Sequence, residues 1–261
     1  MSASSGLEMM NQAVDAETTD SAWSGLYRVG GAAALIAAII FRRWLGAEVA
    51  LFSAQEPPSA VIDWFTLLQS NRLLGLTFLD VFDIVNYALV GLIFLGLYAA
   101  LRRANRSYMT LATMLGFVGI AVYFASNQAF AILSLSDQYA AATTDAHRSM
   151  ILAAGQALLT MNDFSLGGGG INLSFYLVTL AGLIKAVVML RSSIFGKATA
   201  CVGILANVFG LGVVLTLAFA PPMTFIPLSA SAPFLLIWYI LIGLRLLRLA
   251  RREGKALSHS S

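Results

Sequence analysis

Leu79-Asp80-Val81-Phe82-Asp83-Ile84-Val85-Asn86-Tyr87 opens an apolar run that ends only at Leu101. That run exceeds the ~20 residues a helix needs to cross a hydrocarbon core. Within it, a spacing of three puts Asp80, Asp83 and Asn86 on one helical face. Carboxylates and amides are costly in hydrocarbon, so such a face turns to a protein interior or a water-filled cavity. The stretch predicts a membrane helix with one polar face and a bundle built around it.

Composition supports this class. Of 261 residues, 59% are hydrophobic and 11% charged, against roughly 25% charged in soluble domains. The net charge of +3 comes from clustered positives, which report topology rather than a nucleic-acid surface, so no nucleic-acid partner is expected. The single cysteine, Cys201, excludes an internal disulfide and a CxxC site. His147 and His259 are far apart, which argues against bis-histidine haem or a His-rich zinc site. No cofactor or metal is expected.

Residues 1–22 are polar and acidic and read as a disordered cytoplasmic tail, not a signal peptide, whose first region would be basic. A transmembrane domain follows over 23–252, with a short cytoplasmic tail at 253–261. Helix 1 is read over Leu26–Phe41, with Gly30, Ala34 and Ala38 forming a small-residue stripe. Residues 42–72 read as a loop containing a short surface helix, 61–68. Helix 2 is read over Leu73–Leu101, helix 3 over Tyr108–Leu135, helix 4 over Ile171–Leu190, helix 5 over Ala198–Ala220 and helix 6 over Pro233–Ala250. Between helices 3 and 4, Ser149–Phe164 is apolar and helix-prone. All six prolines fall in outer segments or at the start of helix 6, so proline gives no sign of broken spanning helices.

Charge decides the number of crossings. With six, the inner side holds Arg28, Arg102, Arg103, Arg106, Arg191, Lys197, Arg245, Arg248, Arg251, Arg252 and Lys255, and the outer side holds Arg42, Arg43, Arg72 and Arg148. A crossing at Ser149–Phe164 would move the basic C-terminal half outside. That segment is therefore expected to be a re-entrant or surface helix. The expectation is an all-α, six-helix bundle in the inner (plasma) membrane, multi-pass, with both termini cytoplasmic.

The region around helix 4 carries a resemblance. Asn162-Asp163-Phe164, the run Gly167–Gly170, Phe175-Tyr176-Leu177, Val188-Met189-Leu190-Arg191-Ser192, Phe195-Gly196-Lys197 and Val202-Gly203-Ile204 resemble a bacterial six-helix integral membrane family catalogued only as a domain of unknown function. The resemblance covers most of 26–220. It implies the bundle and no activity, cofactor or catalytic residue.

At ~1.5 Å per residue, Asp83 stands ~28 Å above Arg102 and Asn86 ~24 Å above it, while Asn127 stands ~31 Å above Arg106. Asp80, Asp83, Asn86, Asn127, Gln128 and Asp163 thus share one outer level as candidate ligand-binding residues, with Asn172 close by. Lys185, ~9 Å from Arg191, is too deep to join them and is expected to snorkel to the inner face. Two readings of the carboxylates stand. They either cap a wet helix end, among headgroups and loop amides, or line an outward-facing polar cavity for a small ligand or cation. Gly167–Gly170 lacks the Gly-Lys-Ser/Thr of a Walker loop and suits a hinge or close packing better than an anion nest. No Ser-His-Asp order, Gly-x-Ser-x-Gly or His-Glu-x-x-His occurs, so no catalytic residue is assigned and an enzyme ranks third. The first class is a binding or permeation protein centred on Asp83. The second is a non-catalytic assembly subunit whose stripes, Gly30/Ala34/Ala38 and Ala206/Gly210, dock a partner's helices. Arg245, Arg248 and Arg252 are expected to meet anionic membrane lipids.

Overall fold

A computed structural model describes residues 23–54, 57–162 and 169–260, with side chains of 43–54 and 253–260 excepted. The expected N-terminal tail lies outside the described residues. Among those described, every regular element is helical: α1 (Ser24–Ala54), α2 (Val61–Ser70), α3 (Arg72–Phe78), α4 (Val81–Leu101), α5 (Arg106–Ser126), α6 (Ala129–Ala141), α7 (Asp145–Asn162), α8 (Gly169–Met189), α9 (Lys197–Phe219), a 3₁₀ turn (Pro221–Met223) and α10 (Phe225–Ser260). Six stretches are long and apolar enough to cross a membrane: Ser24–Arg42, Val81–Leu101, Arg106–Ala141, Gly169–Met189, Lys197–Phe219 and Pro221–Arg252. The chain is an all-α, multi-pass membrane bundle. The helix between spans three and four is α7, which is not one of the six.

The six spans form a closed ring. α1 packs on α4, α4 on α5, α5 on α8, α8 on α9, α9 on α10, and α10 returns to α1. In hydrocarbon, association depends on close packing rather than on hydrophobic burial, and small residues provide it here. A Cβ on Gly30 would lie 2.8 Å from the Cα of Gly96, and one on Gly31 would lie 3.1 Å from the carbonyl of Gly243. Gly30, Ala34 and Ala38 are buried within this seam. Ala206 and Gly210 are buried too, with Gly210 against Thr179 and the Ala206 carbonyl accepting from Ser231. Both stripes expected to dock a partner are thus occupied by the chain's own helices.

A second, smaller core lies at the Asp80 end. There α2, α3, α6 and α7 bury Trp64, Phe65, Leu68, Phe78, Ile132 and Ile151 together. α7 packs on α6 and α2 through Ile151 and Gly155, whose hydrogens face the Phe65 ring and Val61. Ser136 is fully buried and donates to the Phe65 carbonyl, while Gln69 reaches both Ser136 and Asp137. Arg72 closes the edge with an exposed ion pair to Asp137 at 2.8 Å. This cap sits over one end of the ring.

Several boundaries differ from the sequence reading. α1 runs on to Ala54, through the stretch read as loop. Helix 2 is split at Leu79–Asp80, and helix 3 at Asn127–Gln128. α10 begins at Phe225, so Pro233 lies inside it rather than at its start. These differences share one cause: hydropathy marks the membrane-embedded part of a helix, whereas its ends are set by hydrogen-bonding partners beyond that part.

Candidate functional site

Two helix breaks abut at the Asp80 end. Asp80 has φ 56 and is, among the described residues, the one non-glycine with positive φ. Aspartate tolerates this left-handed conformation better than most residues. It ends the α3 turn and starts α4, with the Asp83 amide donating to the Asp80 carbonyl at 3.0 Å. Opposite, Asn127 leaves the helical region at the end of α5, and its Oδ1 accepts from the Ala129 amide at 3.1 Å. The Gln128 amide donates to Asn162 Oδ1 at 2.8 Å. Side-chain oxygens thus satisfy the amides that the break releases, as hydrocarbon surroundings demand.

Cross-links hold the two breaks together. The Tyr123 hydroxyl donates to the Asp80 carbonyl at 3.1 Å, and Asn127 Nδ2 reaches the Tyr123 oxygen at 3.2 Å and the Leu79 carbonyl at 3.5 Å. Tyr123 stacks on Tyr87 with centroids 3.9 Å apart and planes 5° apart. Tyr87, Tyr123 and Tyr239 come from three different helices and are buried. Their hydroxyls all lie within electrostatic reach of the Asp83 carboxylate. Asp83 occupies the first turn of α4, where the helix dipole favours a negative charge. Ser174 of α8 is fully buried, its hydroxyl beside that of Tyr87 but out of hydrogen-bonding geometry and without another partner.

The structure sorts the expected residues. Asp80 and Asp83 are brought together with Asn127, but through the break rather than along one continuous helix face. Asn86 is half-buried on α4, and its Oδ1 is buried without a hydrogen bond. Gln128 serves the break: its side chain donates to the Ser126 carbonyl. Asp163 lies outside the described residues, as do Gly167 and Gly168. Gly170 presses on Ser126, where a Cβ would fall 1.8 Å from the hydroxyl oxygen, so this end of the glycine run serves close packing. Asn172 belongs to the start of α8.

The expected snorkelling of Lys185 is overturned. Lys185 is fully buried in the α5–α8 seam, with Nζ 2.7 Å from Thr113 Oγ1 and 4.5 Å from the Phe94 ring centroid. Ala112, Gly116 and Gly119 let α5 press against Ser174, Val178 and Ala181 of α8. The side chain leaves α8 inside that seam and has no route to the interface. Among the described residues no carboxylate lies within ion-pair distance of it.

Sequence reasoning missed the tyrosines. Tyr87 is four residues after Asp83 and Tyr123 four before Asn127, so the signal for both was helical spacing. Nothing in the sequence links Tyr239 to Asp83; only ring closure does. Chemically, a carboxylate among phenol oxygens and aromatic faces recognises cations.

No protein-family model matches the chain, and neither a curated protein nor a solved structure matches it.

Proposed function

We propose that this membrane protein binds a small cation or protonated amine at Asp83, in a polar pocket that opens to the outer side of the inner membrane. The observation that carries the reading is that three buried tyrosines, drawn from α4, α5 and α10, lie within electrostatic reach of the Asp83 carboxylate. Two abutting helix breaks support it. Transporters place ion and substrate sites at discontinuous helices because the released backbone groups and helix ends carry charge. Burial of both small-residue stripes leaves the assembly reading without its surface. Membership of the six-helix family stays a proposal carried by the motifs around Phe175 and Phe195.

The test is cation-dependent thermal stability of the purified protein in nanodiscs of neutral lipid. Alkali cations and short alkylammonium ions are titrated at constant ionic strength. One of them raises the melting temperature of the wild type, Asp83→Asn loses the response and Asp80→Asn weakens it less. A response that survives Asp83→Asn unchanged overturns the assignment.

A further inference from the structure

The charges of the molecule are divided between its two ends. Among the described side chains the carboxylates are Asp63, Asp80, Asp83, Asp137 and Asp145, and all of them lie at the cap end. The opposite end carries the α8–α9 turn and the end of α10, with Arg191, Lys197, Arg245, Arg248 and Arg252. None of these cations has an ion-pair partner among the described residues. The turn is fixed in place: Phe195 is buried in the ring, and the Ser192 hydroxyl accepts from the Ile194 amide at 3.0 Å. Arg245 Nε donates to the Ile194 carbonyl, which ties the turn to α10. Two membrane-facing rows converge on this tie. On α10, Ile237, Ile240, Leu244 and Arg248 are exposed at helical spacing. On its antiparallel neighbour α9, Val208, Leu205, Cys201 and Lys197 are exposed in the same way. Each row is apolar along its length and ends on a cation. From end to end each runs ~16 Å along its helix, close to the ~15 Å depth of one hydrocarbon leaflet.

We propose that this end holds one anionic phospholipid, its phosphate among Lys197, Arg245 and Arg248 and its acyl chains along the exposed rows of α9 and α10. The inference stands apart from the cation reading of Asp83. Charge selects the head. A phosphate accepts from guanidinium and ammonium donors together, and the turn uses only Nε of Arg245, leaving its two terminal nitrogens for an anion's oxygens. With no described carboxylate at this end to compensate the cations, a headgroup of net negative charge gains more here than a zwitterionic one. Position selects a lipid over a soluble anion, because the cations stand at the foot of lipid-facing rows, at the depth where a lipid carries its phosphate. A diffuse attraction would act equally at the α4–α5 turn, which presents Arg103 and Arg106 across the ring. The tie between Arg245 and Ile194 is what brings cations of two elements to one place.

The experiment counts the lipid retained by the full chain, by native mass spectrometry from neutral detergent, with phosphatidylglycerol or phosphatidylcholine at equal mole fraction. One phosphatidylglycerol is expected to be held about tenfold or more tighter than phosphatidylcholine. Arg245 also holds the turn, so the deciding variant is Lys197→Gln with Arg248→Gln, whose side chains make no hydrogen bond among the described residues. That variant should bring phosphatidylglycerol down to the phosphatidylcholine level. Arg103→Gln with Arg106→Gln removes the same charge from the opposite turn and should leave the preference intact. An equal loss in this second pair would mean diffuse attraction to the basic end and overturn the proposal. Equal retention of the two lipids by the wild type would overturn it as well. Glycerol phosphate, a head without chains, should compete weakly; full displacement by it at matched concentration would make the occupant a soluble phosphate instead. Removing residues 1–22, with Glu8, Asp15, Glu17 and Asp20, should leave retention unchanged. A site that takes lipid only after that removal belongs to the acidic segment, and the proposal falls. Melting temperature in phosphatidylcholine alone, unchanged in both double variants, separates loss of binding from loss of fold.

Discussion

Lys185 is an amine inside a helix seam whose neighbours are a hydroxyl and a ring. Burying an amine without an ionic partner is costly, so an apolar residue of similar volume in its place is expected to be neutral or stabilising. Lys185→Met should therefore unfold at the same or a higher SDS mole fraction than the wild type. Thr113→Val keeps the shape but removes the hydrogen-bond partner, and should cost about 1–3 kcal/mol. A large loss in Lys185→Met, measured by SDS-titrated unfolding in bicelles, would mean that the amine holds α5 and α8 together. The residue's position along its helix was readable from the sequence. Its direction was not, because depth fixes how far a side chain is from water and packing fixes whether it can get there.

The two breaks belong to the scale of the element. Asp80 adopts a left-handed backbone that glycine accepts without strain. Asp80→Gly should keep or raise stability by up to about 1 kcal/mol, whereas Asp80→Val should lose about 1–2 kcal/mol. If Val is tolerated as well as Gly, the break is not fixed by local backbone geometry. The cap makes a separate prediction. Phe65 is its central ring, packed beside Tyr139 at 5.5 Å and against Gly155, so Phe65→Ala should cost about 3–5 kcal/mol locally. Hydrogen exchange should then show lost protection in α2, α6 and α7 with α8 and α9 unchanged. Loss spread over the whole bundle would show that cap and ring unfold as one. Asn127 and Asn71 were not read as helix ends from the sequence, yet each accepts an amide of the helix that follows. That the breaks face each other depended on Tyr123 crossing from α5 to Asp80, which no local pattern records.

For the whole molecule, ring closure is the feature to challenge. Gly30 and Gly96 meet backbone to backbone, so Gly30→Val must push α1 away from α4. Overpacking of this kind costs roughly 1–3 kcal/mol and should lower the SDS midpoint. A midpoint unchanged in Gly30→Val would show that α1 is not locked to α4. The split of positive charges predicts the orientation. In a Cys201→Ser background, a single cysteine at 145 should react with an impermeant thiol reagent on intact cells and one at 257 should not. The reverse pattern would invert the topology and place Asp83 on the inner side.

The sequence by itself determined that this is a six-span helical membrane bundle, because crossing hydrocarbon requires long apolar runs and those are linear features. It also determined which end of the bundle is polar, since Asp80, Asp83, Asn86, Asn127 and Gln128 lie at similar distances from the basic helix ends. Only the tertiary structure decided where those groups point. Burial of the Gly30 and Gly210 stripes, the capture of Lys185 and the arrival of Tyr239 within electrostatic reach of Asp83 all arise when helices distant in sequence pack together. Apolar helices in lipid have little hydrophobic reason to prefer one neighbour over another. Their arrangement is chosen by the fit of small residues and a few hydrogen bonds between chosen pairs, and that fit exists only once both helices are in place.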